Sequence, residues 1–191
     1  RVLPSVPLLI PGVSHRAALS RMAESFAALN QVLDDEYDPP DNRLASGSAA
    51  SLIDWSDIGR NGKRFIADGP SKAEIAEVTG RAAKQPLRVY AGFDTGETLE
   101  ERAQIALDEL LRVGGFDRST LIIATPTGTG WLDPSGVNTV EFLHAGDTAI
   151  VAMQYSYLPS WLTLLVEPSL AREAANALFR PVYRHWAALP R

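Results

Sequence analysis

Apolar and polar positions change their period along this chain, and the changes divide it in two. Leu19, Met22, Phe26, Leu29 and Leu33 recur at intervals of three and four residues, one narrow face of a helix that Ser14 can cap. Asp34, Asp35 and Glu36 crowd its carboxyl end, where the helix dipole disfavours anions, and Pro39-Pro40 forbids continuation. The expectation is a helix docked against the main domain. Residues 38–69 lose periodicity and read as a loop rich in Pro, Gly, Ser and Asp, pinned to a surface by Trp55, Ile58 and Phe65. Ser71 and Glu74 spell a capping box and Gly80 a stop, which predicts one short helix between them.

From about residue 86 the pattern becomes regular. Residues 87–93 read as a strand. Thr98 and Glu101 form a second capping box, followed by an apolar stripe of Ala103, Ala106, Leu107, Leu110 and Leu111 that Gly114-Gly115 closes. Residues 121–124 are continuously apolar, as in a strand covered on both faces. Asp133 caps a helix with Pro134 in its first turn, running to about Ala145 and stopped by Gly146. Residues 148–155 form a third strand. Ser169 opens a long helix whose Ala174, Ala177, Leu178, Val182, Trp186 and Leu189 share one face and which Pro181 kinks. The alternation of strand and helix predicts a parallel sheet with right-handed crossovers. The fold class is therefore α/β: a sheet of about three strands with flanking helices, preceded by a helical arm. Residues 1–85 are the arm and linker, and 86–191 the sheet domain. Ligands of such sheets bind beyond the carboxyl ends of the strands. Residues 94–97, 125–133 and 154–161 meet there.

Composition narrows the chemistry. The chain of 191 residues is 46% apolar with a net charge of −5, which disfavours a nucleic-acid partner because phosphate neutralisation calls for a clustered basic surface. Arg60, Lys63 and Arg64 make one short basic cluster, read as a solvated loop. Without cysteine there is no disulfide, thiol nucleophile or cysteine-ligated zinc. Three histidines, His15, His144 and His185, lie far apart, so a metal site has little local support, and no cofactor is expected. The apolar run at residues 3–13 carries three prolines and falls short of the ~20 residues a bilayer span needs. A chain that opens on Arg1 is expected to be a processed product or an excised piece.

Two segments carry candidate chemistry. Thr125-Pro-Thr-Gly-Thr-Gly-Trp131 is a glycine-rich turn between a strand and a helix start, where main-chain N–H groups can face an anion or oxyanion. Gly128, Thr129, Gly130 and Trp131 are the candidate donors. The same glycines also suit a tight connection with no ligand, and both readings stand at this point. Neither a Walker-type loop nor a dinucleotide fingerprint is present. Gln154-Tyr-Ser-Tyr-Leu-Pro-Ser-Trp161 follows the third strand. Its Tyr155, Ser156, Tyr157 and Trp161 can line an acyl or aromatic pocket, or simply pack a loop. A nucleophilic serine needs a base within hydrogen-bond reach. His144 falls at the far end of its helix and His185 late in the last one, so the chain by itself offers no catalytic triad.

The order strand, glycine-rich loop, helix, strand, helix resembles an α/β-hydrolase just before its nucleophile elbow. Residues 87–190 are similar to a bacterial family of α/β-hydrolases with a bundle of transmembrane helices at the amino terminus. The likeness is carried by Arg88-Val-Tyr-Ala-Gly92, Glu101-Arg102, Gly115-Phe-Asp-Arg118, Thr125-Pro-Thr-Gly-Thr-Gly-Trp131, Glu141-Phe-Leu-His144 and Ala152-Met-Gln-Tyr-Ser-Tyr-Leu-Pro-Ser-Trp161. Gly47-Ser-Ala-Ala-Ser51, Gly59-Arg60 and Phe65 resemble the family's juxtamembrane linker. The resemblance implies a serine hydrolase of esterase or lipase type, with 128–131 as its oxyanion loop. A further strand, the Gly-Glu-Ser-Leu-Gly elbow and the acid and histidine of the triad would follow residue 191. It also implies a small or lipid-like ester substrate, a cell-membrane location through an amino-terminal anchor, and the carboxyl-terminal half of the domain as a partner. Two alternatives use the same turn: a non-catalytic phosphate- or nucleotide-binding module, and a catalytically silent envelope scaffold.

Overall fold

Three parallel strands, β1 (Leu87–Ala91), β2 (Thr120–Ala124) and β3 (Thr148–Met153), form one sheet in the order β1-β3-β2. Leu87 stands opposite Ala149 in the first pairing and Thr120 opposite Thr148 in the second. The computed structural model describes residues 37–190 together with Arg21, Ser25, Phe26 and Ala28. The helix expected over 14–33 lies outside the described residues apart from those four, all of which are helical.

The helices between strands are α3 (Leu99–Arg112), from β1 to β2, and α4 (Pro134–Leu143), from β2 to β3. β1 is joined to β2 across β3, and β2 returns to β3, so the two crossovers run in opposite directions. A constant right hand therefore places α3 and α4 on opposite faces. The last helix, α6 (Leu170–Ala188), packs against α3 and over β3 and β2, on the α3 face. On the other face α1 (Gly59–Ala67) lies against β1, and α2 (Lys72–Thr79) against α4. The partial α/β-hydrolase architecture expected from the sequence is what the chain adopts.

Local signals set most boundaries. Ser71 and Glu74 exchange both bonds of the capping box, and Gly80 ends α2 in the left-handed region. Asp133 accepts from Ser135 N–H at the start of α4. The second box is half made: Thr98 accepts from Glu101 N–H, but the Glu101 carboxylate turns to Glu97 N–H at 2.9 Å.

Four expectations are corrected. The central strand is β3, every residue of which is buried, whereas β2 is an edge strand and only half-buried. Its apolar run reflects one paired edge and α6 packed over it, while its outer edge forms no strand pair among the described residues. Residues 59–67 are helical rather than loop; Ile58 and Phe65 anchor them as expected, both buried. The basic cluster sits on this helix, with Lys63 buried and its Nζ 5.3 Å from the Trp55 ring centroid rather than solvated. On α6, Ala174, Leu178 and Val182 are buried, but Trp186 and Leu189 are exposed, and Phe179, Tyr183 and Trp186 form a run of ring contacts on the outside.

Buried charge fastens the amino-terminal segment to this frame. The Glu109 carboxylate, on α3, accepts from Ser51 Oγ (2.8 Å), Leu52 N–H (3.0 Å) and the Arg112 guanidinium (2.7 Å). Burial alone would raise its pKa, but the bonds from Arg112, Leu52 and Ser51 outweigh that and hold it below the ordinary glutamate value. A carboxyl depressed on folding stabilises the fold above its unfolded pKa and loses that contribution as pH falls through the folded value. Unfolding midpoints in urea should therefore drop from ~pH 5 downward, and drop less steeply in Glu109→Gln.

Candidate functional site

The strands' carboxyl ends deliver three connections to one place. Residues 92–98 leave β1, 125–133 leave β2, and 154–159 leave β3 toward the short helix α5 (Ser160–Val166). Tyr157 Oη donates to the Asp94 carboxylate at 2.6 Å, joining the first to the third. Gly128 N–H donates to Ser160 Oγ at 3.1 Å, joining the second to the third. The convergence read from the sequence is realised.

The turn after β2 is held from inside and outside. Thr127 N–H donates to Trp131 O (3.0 Å), Gly130 N–H to Thr127 O (2.9 Å), and Trp131 N–H to Thr127 Oγ1 (3.1 Å). Three of the four candidate amides, those of Gly128, Gly130 and Trp131, are thus engaged. The Thr129 N–H makes no hydrogen bond among the described residues. Two carbonyls are fixed by side chains from other elements: Asn61 Nδ2, on α1, donates to Thr129 O at 2.7 Å, and Tyr90 Oη, on β1, to Gly130 O at 2.8 Å. Gly130 sits at φ +85°, and a Cβ there would lie 2.3 Å from Tyr90 Oη. Gly128 backs onto the 158–163 segment so closely that its Cβ would stand 2.2 Å from Leu158 O.

Beyond that segment lies a cavity of about 320 Å3, bounded by Phe93, Leu99, Arg102, Tyr155, Tyr157 and Leu170 among others. Of the predicted pocket residues, Tyr155, Ser156 and Tyr157 line it. Trp161 does not; it stands on α5 and is 60% exposed. Burial, then the bond and charge of Asp94, push the Tyr157 hydroxyl well above the usual tyrosine range, so it stays protonated and acts as a donor.

Histidine is absent from this end of the sheet among the described residues. His144 Nδ1 is 3.1 Å from Thr120 Oγ1, at the amino end of β2, and the His185 ring packs on Phe116. His15 lies outside the described residues. No serine hydroxyl is bonded to a histidine among the described residues, which hold no metal-binding cluster either. No described helix is long and apolar enough to cross a membrane.

Sequence reading missed Asn61, Tyr90 and Arg102. Tyr90 had a signal: a tyrosine inside a buried apolar strand needs a partner for its hydroxyl. Asn61, in what read as loop, had none.

A three-stranded parallel sheet with helices on both faces and a glycine turn at its carboxyl edge defines an α/β protein of the wound, open-sheet kind. A family model described as the alpha/beta-hydrolase family matches residues 87–191, and one described as that family's N-terminus matches residues 2–70. The chain belongs to the alpha/beta-hydrolase family. No curated protein and no solved structure shows a significant match to it.

Proposed function

We propose that this chain is part of a membrane-associated serine hydrolase acting on esters, to which it contributes the oxyanion turn, the nucleophilic serine lying outside residues 1–191. The observation that carries this reading is the Thr129 amide, which alone of the four candidate amides makes no hydrogen bond among the described residues and sits beside carbonyls held by Asn61 and Tyr90. A donor fixed before the reaction costs no reorganisation when negative charge develops on an acyl oxygen. Gly128, Gly130 and Trp131 frame it, and Tyr155, Ser156 and Tyr157 supply substrate contacts.

The handedness of the crossovers supports a position for the proposed serine. α6 covers the same face as α3. A right-handed crossover through α6 moves in the same direction as that through α3, from β3 past β2. The next strand would lie on the open edge of β2, with its carboxyl end beside the 125–131 turn. In α/β-hydrolases the nucleophile occupies such a position, and its following residue gives the second oxyanion N–H.

A phosphate cradle is less well supported, because it needs several converging free N–H groups and residues 128–131 offer one among the described residues. A membrane location rests on the resemblance of Gly47-Ser-Ala-Ala-Ser51, Gly59-Arg60 and Phe65 to a juxtamembrane linker.

A fluorophosphonate probe tests the assignment. The intact protein should be labelled on a serine outside residues 1–191 and should hydrolyse p-nitrophenyl esters, while the 191-residue chain should take no label. An intact protein that neither reacts with the probe nor cleaves an ester would end this reading.

A further inference from the structure

The cavity beside the turn contains a charge that the fold leaves without a contacting counter-ion. Arg102, on the first turn of α3, is 3% exposed. Its two terminal nitrogens donate to carbonyls, Gln154 O at 2.9 Å and Gly96 O at 3.0 Å, and its guanidinium lies 4.5 Å from the Phe93 ring centroid. Its Nε–H is buried with no partner among the described residues. A guanidinium carries five N–H donors, and no carboxylate forms an ion pair with Arg102 among the described residues. The nearby acids have other contacts: Asp94 accepts from Tyr157 Oη, and Glu101 from Glu97 N–H. They act on Arg102 through charge at a distance. A buried cation in this state is costly unless a hydrogen-bonded anion reaches it.

The rest of the cavity wall is largely apolar or aromatic, from Phe93, Leu99, Tyr155, Leu158 and Leu170. Its volume of about 320 Å3 falls at the small end of ligand pockets. We infer that this cavity binds a free monocarboxylic acid with a short apolar body, the carboxylate against Arg102 and the chain among the leucines and aromatic rings.

Glu97 and Glu167 also border the cavity, and both are exposed. Their repulsion acts largely through water, which weakens it several-fold relative to a direct contact inside the protein. One carboxylate on Arg102 therefore prevails, while a doubly charged phosphate would leave its second charge without a cation in a wall otherwise apolar or acidic. A cationic head would face Arg102 itself. The inference rests on Tyr155, Ser156 and Tyr157 being ligand contacts, but not on the turn being an oxyanion device.

Calorimetry on the 191-residue chain at neutral pH, with octanoate, its neutral isostere octanamide and octyltrimethylammonium, tests this without any catalytic step. Octanoate should bind at least tenfold more tightly than octanamide, and the ammonium ion should not bind. Arg102→Met should bring octanoate to the level of octanamide. Leu170→Trp, which fills the apolar end and leaves Arg102 in place, should weaken both ligands together and keeps the test decisive if Arg102→Met does not fold. Equal binding of octanoate and octanamide, preference for the ammonium ion, no binding by any of the three, or octanoate binding unaffected by Leu170→Trp would each overturn the inference. Ester hydrolysis by the intact protein alongside such a failure would remove this ligand and leave the proposed function standing.

Discussion

Glu141→Ala should destabilise the chain by about 3–5 kcal/mol, the usual cost of breaking a buried ion pair from one side. Glu141 is fully buried on α4 and binds Arg88 of β1, itself 7% exposed, through both oxygens, at 2.8 and 2.6 Å. The same guanidinium reaches Phe65 O on α1 and Asn138 Oδ1 on α4, and lies over the Phe65 ring. Removing the carboxylate leaves Arg88 charged, desolvated and short of two acceptors. For a domain with about 5–15 kcal/mol in total, that is a large fraction. The urea midpoint should fall with the slope unchanged. Arg88→Met combined with Glu141→Leu should recover most of the loss, since an apolar pair of similar volume is often neutral. A double variant as unstable as the single would mean that the cost lies in packing or in the bonds Arg88 gives Phe65 O and Asn138 Oδ1, not in an orphaned charge.

The Arg88–Glu141 pair also bears on the site. Arg88 ties together α1, β1 and α4, and these elements carry Asn61, Tyr90 and the helix that starts three residues after Trp131. The turn after β2 is thus held by a frame whose central bond is a buried ion pair on the same face of β1 as Tyr90.

Much of the fold was legible because its signals are local. Ser71 with Glu74, Asp133 with Pro134, and Gly80 each satisfy or terminate a helix end within a few residues, so neighbours in sequence suffice to read them. α1 was not legible: Gly59 and Gly62 lower its helix propensity, and its stability comes from burying Ile58 and Phe65 in the core beneath β1. Strand position was equally hidden, since residues 121–124 are apolar enough for a central strand and only the crossover order puts them at the edge. For the site, the glycine turn could be located but not oriented. The bonds that aim its peptides come from Asn61, Tyr90 and Ser160, 68, 40 and 32 residues away in sequence. No local pattern reports such contacts. Arg102 was hidden for a different reason. A long side chain beside an apolar stripe commonly keeps its charged end in water, and here the end is enclosed.

In the intact protein, Gly130→Ala should lower kcat by about 10²–10³-fold, the range seen when one oxyanion donor is lost. The turn has little room to yield. Gly130 lies at φ +85°, and an added methyl would meet Tyr90 Oη at 2.3 Å and Gln154 Cδ at 3.1 Å, both in the buried floor beneath it. Either the methyl displaces the turn or Tyr90 gives up its bond to Gly130 O, and both re-aim the adjacent Thr129 amide. Tyr90→Phe separates steric damage from lost positioning, because it removes the bond without adding an atom. It should lower kcat by a smaller factor with KM unchanged, the signature of an interaction felt in the transition state and not in substrate binding. A matching rise in KM with kcat preserved would instead place the turn in ground-state binding. Full kcat in both variants would show that no developing charge is stabilised at Thr129. The hydrolytic reading would then rest on family membership alone.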